Sequence, residues 1–521
     1  MPQLRDSSTE AHDTGAVDDG SLARIFGIET EYGVSVTGTR RPVDSAQTAM
    51  TMFQPVVSRM RSTNTYLANG SRLYLDVGSH PEYATAEALT PRDALAQDAA
   101  GELVMRRLAL KAQQRLREST GEPGLTIHVF KNNADSAGHS FGCHENYLVR
   151  RFVPLETIEH ELVPFLVTRQ LFAGAGRLPG HENGAGAGRL PGQGGAGDTM
   201  AMHAEAGAAD SVGPSAGTDA LAGFEISQRA DFLDEAVSSA TTRVRPMVNT
   251  RDEPHADPER YRRLHVIIGD SNRSQTVTWL KLITTHLVLG VIEDACRNGV
   301  ASPFAHLALA DPAEANRAVA RDRMFATPLA LADGGTMTAL DIQRAYLSAA
   351  RAFLDAHRER LLASLPGDDP DRALDLWASA LDAIASGDVS PLAGWVDWVA
   401  KERLLEGFAR RGQGFERLLQ VDMAYHDIAN GRVFDALVSR GLMAVPCGPE
   451  ETSRAVDTPP EGTRATLRGG FVARALRTDA QWSVDWMHLT LRTPDTAEVE
   501  LLDPFEGRPT PAYERLIALL G

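Results

Sequence analysis

The chain has 521 residues, 43% of them hydrophobic and 23% charged, with a formal net charge of −17 at pH 7. That length exceeds one typical domain and leaves enough apolar residues for a substantial core. The acidic balance argues against non-specific nucleic-acid binding, which needs a basic surface to displace counterions. The three cysteines, Cys143, Cys296 and Cys447, lie too far apart for a zinc site or a disulfide framework and suit a reducing cytosol.

Residues 1–23 are acidic and polar, carry no apolar signal segment, and read as a disordered tail. The next stretch, RIFGIETEYGVSV (24–36), reads as one strand. Ile28, Thr30 and Tyr32 fall on one side, Glu29 and Glu31 on the other. Two carboxylates on one face repel each other unless a divalent cation lies between them, and hard oxygen ligands suit Mg²⁺. On the pattern alone, two solvated glutamates on an exposed face are the commoner explanation.

NGSRLYLDVGSHPEYATAE (69–87) shifts that balance. Its strand puts Leu73 and Leu75 toward the core, while Arg72, Tyr74 and Asp76 share the other face. A cation, a phenol and a carboxylate at this spacing can together meet a phosphorylated ligand. Glu82, Thr85 and Glu87 follow the turn, adding more acid than a single cross-strand pair with Arg72 would need. Thr90-Pro91 then starts a helix, with Thr as N-cap and Pro in the first turn, whose leucines run to about Ser119.

FKNNADSAGHSFGCHENYLV (130–149) is a polar loop entering a strand in which His144 and Asn146 alternate with Glu145. His144 or Glu145 could contact a metal or phosphate, although a hydrogen-bonded structural histidine is the commoner role. From 174 to 223 the sequence is rich in Gly and Ala, and GAGRLPG occurs twice, at 174–180 and 186–192. Such a segment buries too little to offset backbone ordering and reads as a mobile surface insert, with Arg177 and Arg189 as solubilising charges.

NTRDEPHADPERYRRLHVIIGDSN (249–272) holds the densest basic cluster, Arg251, Arg260, Arg262, Arg263, His255 and His265. As a strand it puts Arg263 and His265 on one face. Guanidinium forks suit phosphate oxygens, but Asp252, Glu253, Asp257 and Glu259 make a solvated ion-pair network an equal alternative. A buried helix follows over 279–297. Its apolar run at 282–292 is too short to span a bilayer, so no membrane is expected. Helical segments continue from 339 to about 413, broken at Pro366 and at 387–391.

The remainder, 444–521, begins rich in turns and becomes strand-like, a candidate small C-terminal domain beside a catalytic domain at 24–443. In it WSVDWMHLTLRT (482–493) alternates as one strand, with Trp486, His488 and Thr490 on one face. Trp486 could pack on an adenine ring, although a core role is commoner for such a tryptophan. Strands and helices interspersed without βαβ units or a phosphate loop indicate an α+β fold with a largely antiparallel sheet.

Taken in order, GIETEYG, NGSRLYLDVGSHPEYATAE, KNNADSAGHSFGCHENYL, LVPFLVTRQL, NTRDEPHADPERYRRLHVIIGDSN and VDMAYHDI resemble the family of Pup ligases and Pup deamidase/depupylases. The resemblance spans Arg24 to Leu520 apart from the insert. It implies a glutamine-synthetase-like curved antiparallel sheet backed by helices, ATP and Mg²⁺ as cofactors, and Pup and lysine-bearing proteins as partners. Carried over by position, Glu29, Tyr74 and Glu82 would bind magnesium. Arg72, Thr85 and Trp486 would contact ATP, and Asp76 would be the catalytic base. The short separation between Glu29 and Asp76, and the wording VGSHPEYATAE and TLRGGF, resemble the ligase branch. The ligase reaction joins the γ-carboxylate of Pup's C-terminal glutamate to lysine through a glutamyl phosphate in the cytoplasm. A depupylase, a small-molecule γ-glutamyl ligase or a non-catalytic binding protein are the alternatives.

Overall fold

The computed structural model describes residues 20–76, 78–135, 140–179, 221, 223–239, 245–493 and 495–521. Its centre is an eight-stranded sheet, five of whose strands come from the motifs above. In chain order the strands are β1 (Phe26–Glu31), β3 (Asn64–Tyr66), β4 (Arg72–Leu75), β5 (Pro81–Ala84), β7 (Cys143–Arg150), β8 (Glu235–Ser238), β9 (Pro246–Asn249) and β10 (Tyr261–Val266). They lie in the order β3-β4-β5-β1-β7-β10-β9-β8. Every neighbouring pair is antiparallel except β8 with β9. The α+β class and the largely antiparallel sheet therefore hold, with one parallel pair at the edge.

Alternation decides the two faces. Phe26, Ile28, Tyr147, Leu264 and Val266 point into the main core, against Leu280, Ile283 and Leu287 of the helix Gln275–Asn298. That helix is long and apolar enough to cross a membrane, but 89% of its most apolar window is buried inside the fold. The first motif is not one strand. It breaks at Tyr32, after which β2 (Gly33–Thr37) leaves the main sheet and pairs with β6 (Thr126–Phe130). Tyr32 itself is buried with Met52 and Phe53 of α1 (Ser45–Met60) and Met105 of α2 (Pro91–Thr120).

Local signals place the helices well. The Thr90 hydroxyl accepts from Asp93 N, Pro91 occupies the first turn, and α2 stops at Gly121 with a left-handed φ of 69°. The helices Ala339–Ser364, Pro370–Ser386 and Asp397–Ala409 break at Pro366 and across 387–391, as the sequence predicts.

The C-terminal part differs from expectation in detail. The stretch that reads as turns contains a helix, Pro449–Asp457, whose Ala455 packs with Cys447 on Leu95, Ala96 and Ala99 of α2. Beyond it come the helix Ala465–Ala475, the antiparallel strands Trp482–Val484, His488–Leu491 and Ala497–Glu500, and the helix Pro511–Ala518. These bury Leu467, Phe471, Leu489, Leu491 and Leu516 in a core of their own.

The ends of the two irregular segments are also ordered. Leu22 is buried although it belongs to the expected tail, and residues 1–19 lie outside the described residues. Gly174–Pro179, expected as insert, is part of the fold: Ala175 and Leu178 are core residues. Arg177 is not a solubilising charge, because it pairs with Glu225 and Asp231 at 2.6 and 2.7 Å. Arg177 and Glu225 also exchange backbone hydrogen bonds, forming a two-strand neck. The expected mobile loop above that neck, including Arg189, falls at 180–220, outside the described residues.

Candidate active site

Sheet register gathers the predicted side chains on one open face. Tyr74, Glu82 and Glu31 stand in one row across β4, β5 and β1, because Tyr74 pairs with Glu82 and Glu82 with Glu31. The neighbouring row runs Arg72, Ala84, Glu29 and His144. His265 is paired with Asn146, which sets it beside that row on β10. Motifs far apart in sequence thus converge by pairing alone.

Within this face the acidic groups form two clusters whose potential ligand atoms lie within 4.8 Å of one another. One holds Glu29, His144 and His265; the other holds Glu31, Asp76 and Glu82. Glu29 Oε2 is 3.2 Å from His144 Nδ1 and 3.6 Å from His265 Nε2, and Glu29 Oε1 accepts from Asn146 at 3.1 Å. Arg263 approaches Glu29 Oε1 at 3.6 Å. Burial opposes ionisation of Glu29, yet the two imidazoles hold its carboxyl well below the ordinary range. In the second cluster burial, then the charges of Glu29 and Glu31, push Glu82 well above its ordinary value. Tyr74 donates its phenol hydrogen to Glu82, and burial followed by that carboxylate keeps the phenol protonated.

These residues fit a divalent cation. Glu82 is 3% exposed among three other carboxylates, a position that a positive charge would relieve. His265 Nε2 is buried with no hydrogen-bond partner among the described residues, an orphan atom aimed at Glu29. Glu29 and Glu82 fall in different clusters, and Tyr74 joins the second through its hydrogen bond to Glu82.

Gly142 belongs to the same site. Its N–H donates to Glu31 Oε2 at 2.8 Å, and a Cβ there would lie 2.8 Å from His144 Nε2 and 2.9 Å from Glu31 Oε1. Asp76 follows β4 directly; its backbone N–H donates to His80 O at 2.9 Å, closing the turn that holds its carboxylate beside Glu31 and Glu82.

A cleft leads from Glu29 and Arg263 past Thr85, Glu87 and Asn146 to Trp486. The Thr85 hydroxyl lies on its wall and accepts from Ile28 N at 3.0 Å. Trp486 is not in a strand: it occupies the turn between Trp482–Val484 and His488–Leu491, where Asp485 accepts from the N–H groups of Met487 and His488. That turn presents the indole across the cleft from the sheet. Arg72 lies over the Tyr74 ring at 4.2 Å and donates to Asn64 Oδ1 at 2.8 Å.

The structure separates the residues that sequence left open. Glu145 points to the other side of the sheet. It is 1% exposed, held by Arg169 at 2.5 and 2.9 Å and by the Tyr147 hydroxyl at 2.6 Å, so it is a core ion pair and not a metal or phosphate contact. The basic motif divides: Arg251 pairs with Glu253, and Arg262 with Asp252, while Arg263 and His265 enter the site. His255 lines the cleft beside Trp486 with a left-handed φ of 48°, a conformation histidine adopts more readily than most non-glycine residues. Sequence reasoning missed Arg464 and Arg468, which grip Glu87 at the cleft's inner end. Alternation carries no signal for them, since Arg468 lies on the helix Ala465–Ala475 and Arg464 is its N-cap residue.

Residues 24–490 match the family model described as Pup-ligase protein. The chain is 56% identical to a Pup--protein ligase of Bifidobacterium longum (strain DJO10A), over 100% of both sequences. It is 49% identical to one of Bifidobacterium animalis subsp. lactis (strain AD011), over 100% of this chain and 98% of the relative. Two solved structures share its fold. The complex between the prokaryotic ubiquitin-like protein Pup and its ligase PafA matches with TM-score 0.80 and 37% identity, covering 96% of this chain and 91% of the other. The Pup ligase PafA in complex with ADP matches with TM-score 0.73 and 40% identity, covering 91% and 93%.

Proposed function

This chain belongs to the Pup-ligase protein family, and on that premise we propose how its own side chains carry out ATP-dependent ligation of Pup to proteins. A carboxylate is a poor acyl donor. An oxygen of the γ-carboxylate of Pup's C-terminal glutamate therefore attacks the γ-phosphorus of ATP, releasing ADP and leaving a glutamyl phosphate. A target lysine amine then attacks that carbonyl carbon, phosphate departs, and an isopeptide bond remains.

The observation that carries this reading is the sheet face that gathers Arg72, Tyr74, Glu82, Asp76 and Glu29, with Glu29 also lining a cleft walled by Thr85 and Trp486. In our reading the cleft holds the nucleotide, with the base against Trp486 and the phosphates toward Arg72 and Arg263. Glu29 and Glu82, with Tyr74 orienting the Glu82 carboxylate, would hold magnesium, and His144 and His265 fit beside Glu29. Bound there, the cation would supply charge neutralisation for phosphoryl transfer. Arg72 adds a positive charge whose rigid fork of donors matches phosphate oxygens.

Asp76 is the proposed base. Lysine has an ordinary pKa near 10.4, so at pH 7 only about one in 2,500 is neutral, a deficit of about 4.6 kcal/mol. A carboxylate on the turn Asp76–His80, beside two further acids, attracts the ammonium and accepts its proton as the C–N bond forms. A catalytic unit at 24–443 with a small C-terminal unit, and a cytoplasmic location, complete the proposal.

Incubating the full chain with Pup ending in glutamate, ATP and a lysine-bearing target tests it. An ATP-dependent Pup–target conjugate is expected. Cleavage of a preformed conjugate, with no conjugate made, would instead establish a depupylase.

A further inference from the structure

We propose that Arg468 is a positioning residue for nucleotide binding, holding Trp486 as a fixed wall of the cleft; this rests on the reading that Trp486 contacts the base. Arg468 lies on the helix Ala465–Ala475 and is fully buried, and its guanidinium joins four partners. It donates to Trp486 O at 3.0 Å, and its Cζ lies 4.8 Å from the centroid of the Trp486 ring. It donates twice to Gly70 O, at 3.0 and 2.9 Å, in the turn between Tyr66 and Arg72. It forms an ion pair with Glu87, whose Oε1 also accepts at 3.0 Å. Its Cζ is 5.5 Å from the Tyr66 ring, which meets Trp486 edge-on at 5.2 Å.

One side chain therefore connects the Trp486 turn of the C-terminal part with the catalytic sheet at Glu87 and Gly70. Close approach of the two parts is required for this, and the backbone is built for it. At Gly469, the next residue, a Cβ would fall 2.3 Å from Ala68 O. A simple docking clamp would explain the Gly70 and Glu87 contacts. It does not explain why the cation also lies over the Trp486 ring, which lines the cleft, and near the Tyr66 ring that braces it edge-on. Only a guanidinium can stack and keep its fork of donors in use at once; an ammonium cannot do both.

The test uses the full chain and measures KM for ATP and kcat of Pup ligation in Arg468→Lys, Trp486→Ala and the double variant. Arg468→Lys keeps a cation for Glu87. It should raise KM for ATP about three- to tenfold with a much smaller change in kcat, the scale of a lost cation–π contact. In the Trp486→Ala background the same substitution should raise KM less than about twofold, because Arg468 acts through that ring. Equal fold-changes in both backgrounds would reduce Arg468 to a docking clamp and overturn the proposal. An unchanged KM in Arg468→Lys with a raised KM in Trp486→Ala overturns the role of Arg468 alone. An unchanged KM in Trp486→Ala overturns the nucleotide wall itself. Should Arg468→Lys not fold, Tyr66→Leu probes the stack from the sheet side. The same KM shift there, absent in the Trp486→Ala background, is expected; no shift overturns the proposal.

Discussion

Glu31 of β1 and Glu82 of β5 stand directly opposite each other in sheet register, two acids where a stable pair would carry opposite charges. Glu82 is buried, and with Glu29 and Asp76 also near it, it is driven well above its ordinary pKa. Such an arrangement costs stability in the isolated protein, and a bound cation converts the cost into affinity.

Replacing Glu29 or Glu82 by Ala should therefore raise the magnesium concentration needed for half-maximal ATP use, by about tenfold or more. Excess magnesium should partly restore at least one of the two. Titrating magnesium in a coupled ADP-release assay checks this, and an unchanged requirement in both variants would remove them from the metal site.

The insert prediction follows from the neck at Arg177 and Glu225. Because their backbones already exchange hydrogen bonds, the chain above them can be shortened without moving either foot. Deleting residues 181–220 and joining the ends with a short Gly-Ser linker should leave ligation largely intact. Shortening a loop lowers its closure entropy by about 0.6 kcal/mol per halving, so thermal stability should not fall. Insoluble protein or lost conjugation would make the insert structural. A deletion reaching Leu178 should fail, since that side chain is core.

Period-two patterns were the legible part. They placed Glu29 and Glu31, Arg72 and Tyr74, and Arg263 and His265 on the correct face, because one face of each strand must enter the core. They could not show that β1 ends at Tyr32, since alternation continues unchanged as the chain passes from one sheet to another. Nor could they separate His144 from Glu145 chemically; the partner Arg169, which makes Glu145 a core residue, lies in a helical segment whose packing no local pattern announces. Trp486 read as strand because its neighbours alternate, whereas Asp485 turns the chain there. Pup, ATP and the ligase reaction came from the ordered motifs as a resemblance, and no single motif would have identified them.

Glu87 offers a pH test away from the metal face. Burial opposes its ionisation, but Arg468 and Arg464 hold its carboxyl at about 2, against an ordinary value of 4.5. The depressed value means that its stabilisation is fully present above pH 4.5 and is lost as pH falls toward 2. The shift corresponds to about 3 kcal/mol. Glu87→Gln should be destabilised at pH 7, and its deficit relative to the parent should shrink as pH drops from 4.5 toward 2. Denaturant unfolding at several pH values measures the gap, and a constant gap would contradict the assignment.

The central claim is that Asp76 takes the lysine proton, and Asp76→Asn tests it most directly because size is kept while basicity is removed. Glutamyl-phosphate formation and conjugate formation should be measured separately in the variant, with Pup and ATP binding as controls. Binding should persist, because Arg72 and the Glu29 and Glu82 carboxylates remain. Conjugation should fall by at least about a hundredfold, the scale of a lost general base. Phosphorylation of the Pup glutamate should fall much less, since that step consumes no lysine proton. Equal losses in the two steps, or near-normal conjugation, would contradict the account.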